Sequence, residues 1–156
     1  MGKRKRARED ALKILYEMDM ADMPAEDAIE AFIEVHGRFS GEEEFIKSLV
    51  FGVEKKKQEI DELIRRFSEH WRLDRMSPVD RSALRIGVFE LLYRDDIPPR
   101  VSINEAIELG KKFGDTESGA FINGILDAIY SHLLKEGLIV DKDMVKQDKE
   151  VTLTPG

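Results

Sequence analysis

Five cations crowd into six positions near the start of this chain: Lys3, Arg4, Lys5, Arg6 and Arg8. Guanidinium and ammonium groups at that density can neutralise phosphates, so one reading is a footprint for a nucleic-acid backbone. The other is a disordered, solvated charge run at a chain terminus. A second candidate is Lys111-Lys112-Phe113-Gly114-Asp115-Thr116-Glu117-Ser118-Gly119-Ala120-Phe121, where two lysines, two aromatics and a helix N-terminus fall within eleven residues. Aromatic rings stack on unpaired bases and a helix N-terminus accepts a phosphate. Lys112, Phe113, Ser118 and Phe121 are therefore candidate RNA contacts. The simpler account makes Phe113 and Phe121 core residues and the lysines solubilising ones.

Other chemistries lack their residues. His36, His70 and His132 stand apart, with no HExxH spacing, so no metal site is expected. No glycine-rich loop follows a strand, and Ser118 lacks a GxSxG elbow, so neither a nucleotide cofactor nor catalysis is expected. There are no cysteines, which fits a reducing cytoplasm. Neither a secretory signal nor a membrane-length apolar run is present. The net charge of −7 argues against indiscriminate nucleic-acid binding. Five of only 25 basic residues in the basic stretch, against 32 acidic ones in the chain, describe a directed basic spot on an acidic body.

Positioning these residues falls to helices. Ser77 to Tyr93 opens with a Ser N-cap, Pro78 at the first helical position and Asp80 at the third. It is apolar nearly all round, which predicts a helix buried by other helices. Gly87 within it predicts a close crossing. Arg81 and Arg85 call for ordinary carboxylate partners, and Glu90 and Arg94 have i,i+4 spacing. Before this helix, the apolar stripe Ala11, Leu12, Ile14, Leu15 and Met18 predicts a first helix from about Arg4 to Met20, with its basic turns overhanging the bundle. Tyr16 lies off that stripe. Asp22-Met23-Pro24 breaks the helix, and a second runs from Ala25 to His36, with Ala28, Phe32 and Val35 inward and Gly37 as C-cap. Ser40-Gly41-Glu42-Glu43 reads as a capping box for two further helices, separated at Lys55 to Lys57 and closed by Trp71 as a core lid. Pro98-Pro99 stops the central helix. Ser102-Ile103-Asn104-Glu105 reads as another box, and a last helix follows Asp115-Thr116-Glu117-Ser118. The count is about seven helices and no strand, an all-α chain whose residues after about Asp141 lose periodicity.

Four stretches then resemble a known family. They are Arg6-Ala7-Arg8-Glu9 leading to Leu15-Tyr16; Asp80-Arg81-Ser82-Ala83-Leu84-Arg85-Ile86 with Glu90-Leu91; Ile103-Asn104-Glu105-Ala106-Ile107-Glu108-Leu109 with Lys111 and Phe113-Gly114; and Phe121-Ile122-Asn123-Gly124-Ile125-Leu126-Asp127. In unbroken order over residues 4 to 135, they closely resemble the bacterial transcription antitermination factors of the NusB family. The resemblance implies two small helical subdomains packed at a large angle, about 1–72 and 73–137; the charged tail over 138–156 has no clear family counterpart, and its composition predicts disorder. It implies binding of boxA-type single-stranded RNA together with ribosomal protein NusE, within an antitermination complex with RNA polymerase. Residue by residue, it assigns RNA contact to Arg4, Lys5, Arg6, Arg8, Phe113, Glu117 and Phe121, and NusE contact to Tyr16 and Asp80. Ala120 departs from a lysine common in relatives, and Lys5 from an arginine, which keeps the charge but not the planar fork. Competing readings are a NusB-like domain of an rRNA cytosine methyltransferase and a protein-only helical adaptor without RNA binding. A homodimer is compatible with the sequence.

Overall fold

The computed structural model describes residues 2–68 and 72–142. Six α-helices account for most of them: α1 (Gly2–Ala21), α2 (Ala25–His36), α3 (Glu43–Phe67), α4 (Pro78–Tyr93), α5 (Pro99–Phe113) and α6 (Ser118–Lys135), with a single 3₁₀ turn at Leu73–Arg75. No strand occurs among the described residues.

α4 is the axis of the packing, against α1, α3, α5 and α6. Every residue from Ser82 to Leu91 is buried, as a helix apolar on all sides requires. It starts where its cap residues predict: the Ser77 hydroxyl accepts from the Asp80 amide at 3.1 Å, and Pro78 opens the first turn. Gly87 marks the crossing with α6. A Cβ there would lie 2.8 Å from a methyl of Leu126 and 3.3 Å from the Ala106 Cβ, so the absence of a side chain at Gly87 lets these neighbours pack against the α4 backbone. Buried side chains from all six helices join one hydrophobic cluster.

The chain turns where its local chemistry demands. Asp22 takes a φ of 50° between α1 and α2, a left-handed conformation that aspartate tolerates better than most residues. Gly37 caps α2 at φ 79°. The polar stretch at 55–57 bends the chain rather than ending a helix. Lys56 alone leaves helical geometry (φ −105°, ψ 16°), and α3 continues past it, so two expected helices become one kinked helix.

Both expected capping boxes are otherwise employed. Glu42, not Ser40, is the N-cap of α3, and Ser40 instead binds α1. α5 begins at Pro99, which places Ser102 inside the helix, where its hydroxyl donates to Glu90 at 2.8 Å. Val35, expected in the core, is 79% exposed. At the C-terminal end, the Leu138 amide donates to the Leu133 carbonyl and the Tyr130 hydroxyl to the buried Asp141, so residues 138–141 fold back on α6. Trp71 and residues 143–156, expected to be a core lid and a disordered tail, lie outside the described residues.

Candidate nucleic-acid interface

The basic stretch is helical. Lys3, Arg4, Lys5 and Arg6 form the first turns of α1 and are exposed. Four cations beside the positive end of a helix dipole cost about 0.3–1 kcal/mol each, so folding stability does not account for them. Arg4 lies over the Phe45 ring at 4.4 Å, with Glu42 and Asp96 at 3.7 and 4.0 Å. Arg6 donates from Nε to the Ser40 carbonyl at 3.2 Å, leaving the rest of its fork exposed.

Arg8 corrects the sequence reading. It is 3% exposed, and its guanidinium makes a bidentate pair with Glu90 at 2.8 and 2.9 Å. Glu90 is 1% exposed and also accepts from Ser102. This cation is consumed in tying α1 to α4 and offers nothing to a ligand at the surface. The i,i+4 partner expected for Glu90 goes elsewhere: Arg94 clamps Asp96 at 2.9 Å through both nitrogens. That clamp holds the Asp96 carboxyl down at about 2, with the hydrogen bond from Arg94 as the largest cause and burial opposing it. Arg81 and Arg85 find the carboxylates expected of them, Asp19 and Asp61.

The two candidate patches share one side of the molecule. Lys112 donates to both oxygens of Glu9, on α1, at 2.9 and 3.0 Å across 103 positions of sequence. The Lys13 ammonium lies 5.7 Å from the centre of the Phe113 ring, and Lys112 lies 5.4 Å from it. Phe113 is half-buried between these two cations at the end of α5. Glu117 is exposed at the start of α6 and Phe121 is half-buried one turn on. Ser118 is a second correction. It is fully buried, and its hydroxyl accepts from the Asp115 amide at 3.0 Å, closing the α5–α6 turn rather than facing a ligand.

The expected protein-facing pair divides. Tyr16 lines an apolar groove of about 530 Å³ between α1 and α2, with Ala28, Ala31, Val35, Val79 and Phe113. Asp80, expected to face outward, is 7% exposed, and its Oδ1 is buried without a hydrogen-bond partner among the described residues. Its carboxylate serves the start of α4, where a negative charge complements the dipole. Sequence reasoning missed this groove, because Val35 fits the core-facing period of α2; only its exposure gives it away. Among the described residues, no group of three or more ligand-type side chains could hold a metal, and no helix is long and apolar enough to cross a membrane.

Among the described residues, an exposed cationic helix start and an aromatic between two lysines beside it form a charge-and-ring pattern of the kind found in helical nucleic-acid-binding modules. The family can be stated as well. Residues 5–131 match the NusB family model, and the chain belongs to that family. It is 51% identical over 133 residues to the transcription antitermination protein NusB of Myxococcus xanthus, covering 83% of this chain and 95% of that one. The fold superposes on the NusB of T. maritima with a TM-score of 0.73 at 36% identity, covering 82% of this chain and 90% of that one. It also superposes on a solved structure of the antitermination factors NusB and NusE in complex with dsRNA, with a TM-score of 0.74 at 32% identity, covering 85% of this chain and 98% of that one.

Proposed function

We propose that this protein is a transcription antitermination factor of the cytoplasm that binds boxA-type RNA in nascent transcripts, notably ribosomal RNA, together with ribosomal protein NusE. It thereby supports read-through by RNA polymerase. The observation that carries this reading is the family match over nearly the whole helical part of the chain, to relatives named for antitermination. The site supports it. Lys3, Arg4, Lys5 and Arg6 are exposed cations of α1, and Phe113 with Lys112 continues the same side. Phosphates take the first group and an unpaired base stacks on Phe113, with Glu117 and Phe121 at its margin. NusE docks on the Tyr16 groove, an exposed apolar surface of the kind that marks a protein partner.

The mechanism is assembly, not catalysis. Electrostatic attraction brings RNA to the basic end, and the groove adds a second set of contacts from the partner, so RNA and NusE reinforce each other when held together. Titrating a short boxA-like RNA into the full chain, with and without NusE, tests this. The expected result is salt-dependent RNA binding that tightens when NusE is present. RNA affinity that is absent in both arms, with NusE still bound, would instead establish a protein-only adaptor.

A further inference from the structure

We propose that the cleft between the start of α1 and the α2–α3 loop is a pocket for one unpaired RNA nucleotide, extending the track beyond the N-terminal turns. This rests on the RNA-binding reading above. The cleft is about 630 Å³, within the roughly 300–1,000 Å³ of ligand pockets. Arg6, Lys13, His36 and Arg38 line it, and Phe39 with Phe32 gives it an apolar wall. The two rings are stacked, with centroids 5.8 Å apart and planes at 17°. Phe39 remains half-buried and Arg38 exposed.

Charge makes the cleft specific to an anion. In a chain of net charge −7, three permanent cations converge here and a single carboxylate faces them. That carboxylate, Asp10, is 2% exposed and engaged: it accepts from the Ser40 amide at 2.7 Å and from the Ser40 hydroxyl at 2.8 Å. Arg38 makes no ion pair among the described residues, and Lys13 meets only the Phe113 ring. The loop carrying Arg38 and Phe39 is locked against α1 through Gly41, where a Cβ would lie 2.3 Å from the Ala7 nitrogen, so the cations are held in place.

Continuity decides for RNA over an acidic peptide. Arg6 belongs both to the basic start of α1 and to the cleft, and Lys13 belongs both to the cleft and to the Phe113 surroundings. The cleft thus joins two surfaces already assigned to one RNA. A phosphate bridged by Arg6 and Arg38 leaves its base against Phe39, where stacking is tolerant of sequence.

The test is fluorescence anisotropy of a labelled boxA-like single-stranded RNA with the full chain, over a salt series. Arg38→Ala has no described contact to lose, so its melting temperature should equal that of the wild type. Its affinity should fall about tenfold, as expected for a charged hydrogen bond. Its log–log salt slope should shrink by about 0.7. Phe39→Leu should weaken binding by about fivefold or more at an unchanged slope. The triple change of Lys3, Arg4 and Lys5 to alanine, all outside the cleft, is the control for the underlying reading. If it weakens binding while Arg38→Ala and Phe39→Leu do not, the pocket is overturned and the RNA-binding function stands. If Arg38→Ala lowers NusE affinity and spares RNA, the cleft belongs to a protein partner and the proposal falls. If the wild type binds no RNA either alone or with NusE present, both readings fall together.

Discussion

Single residues separate folding from binding most sharply at Arg8 and Glu90. Both are buried, and each leaves an uncompensated charge if the other is removed, which costs about 3–5 kcal/mol. Arg8→Ala should therefore lower stability by that order in chemical denaturation, while the salt slope of RNA binding by the folded protein stays at the wild-type value. Replacing both with leucine should recover much of the loss, because apolar pairs of similar volume fill such sites at little cost. Asp96 gives a smaller, pH-linked effect. Its carboxyl sits at about 2 against an ordinary 3.8, so the folded protein holds that proton less tightly than the unfolded chain does. The stabilisation is complete above about 4 and is lost as pH falls toward 2. Half of the side chain is solvent-exposed, and screening keeps the effect below about 1 kcal/mol. The melting temperature of Asp96→Asn should sit slightly below the wild type at neutral pH and converge with it near pH 2.

Among the elements, close backbone approaches set what is tolerated. Gly41 lies against backbone atoms of α1. A Cβ there would meet the Ala7 nitrogen at 2.3 Å and the Lys3 carbonyl oxygen at 2.7 Å, and neither can swing aside. Gly41→Ala should destabilise by about 1–3 kcal/mol and, by displacing Ser40 and Arg38, should also weaken RNA binding. Gly87 faces a Leu126 methyl instead, a side chain with some room to turn, so Gly87→Ala should cost less in the same denaturation measurement. α3 shows how polarity acts on a continuous helix. The run Glu54 to Glu59 has few groups to bury, yet Phe45, Leu49 and Val53 before it and Ile60, Leu63 and Ile64 after it are all anchored in the core. Both halves carry the same core-facing stripe, so the helix continues through the polar run, and it kinks at Lys56 rather than stopping.

At the scale of the molecule, two surfaces are available on opposite chemical terms. One is cationic, spanning the start of α1, the α2–α3 loop and the end of α5. The other is the apolar Tyr16 groove, with Val35 79% exposed at its rim. Val35→Glu should lower NusE affinity at least tenfold in calorimetric titration, since a charge desolvated in an apolar interface costs several kcal/mol. RNA binding by the isolated chain and the melting temperature should change little, because Val35 is not packed in the core. Equal loss of both affinities would mean that the two surfaces form one site.

The sequence by itself determined the all-helical class, the central buried helix and its cap, the breaks at Pro24, Gly37 and Pro98, and the family. Each follows from local periodicity, backbone chemistry or motif order, which act over a few residues. Tertiary structure alone decided which charges are free. Arg6 and Arg8 are two positions apart in one basic run, yet a step of two along a helix turns a side chain to another face, so one is exposed and the other is buried against Glu90, 82 positions away. Packing likewise took Ser40 and Ser102 from their apparent caps to the buried carboxylates of Asp10 and Glu90, which they satisfy across 30 and 12 positions of sequence.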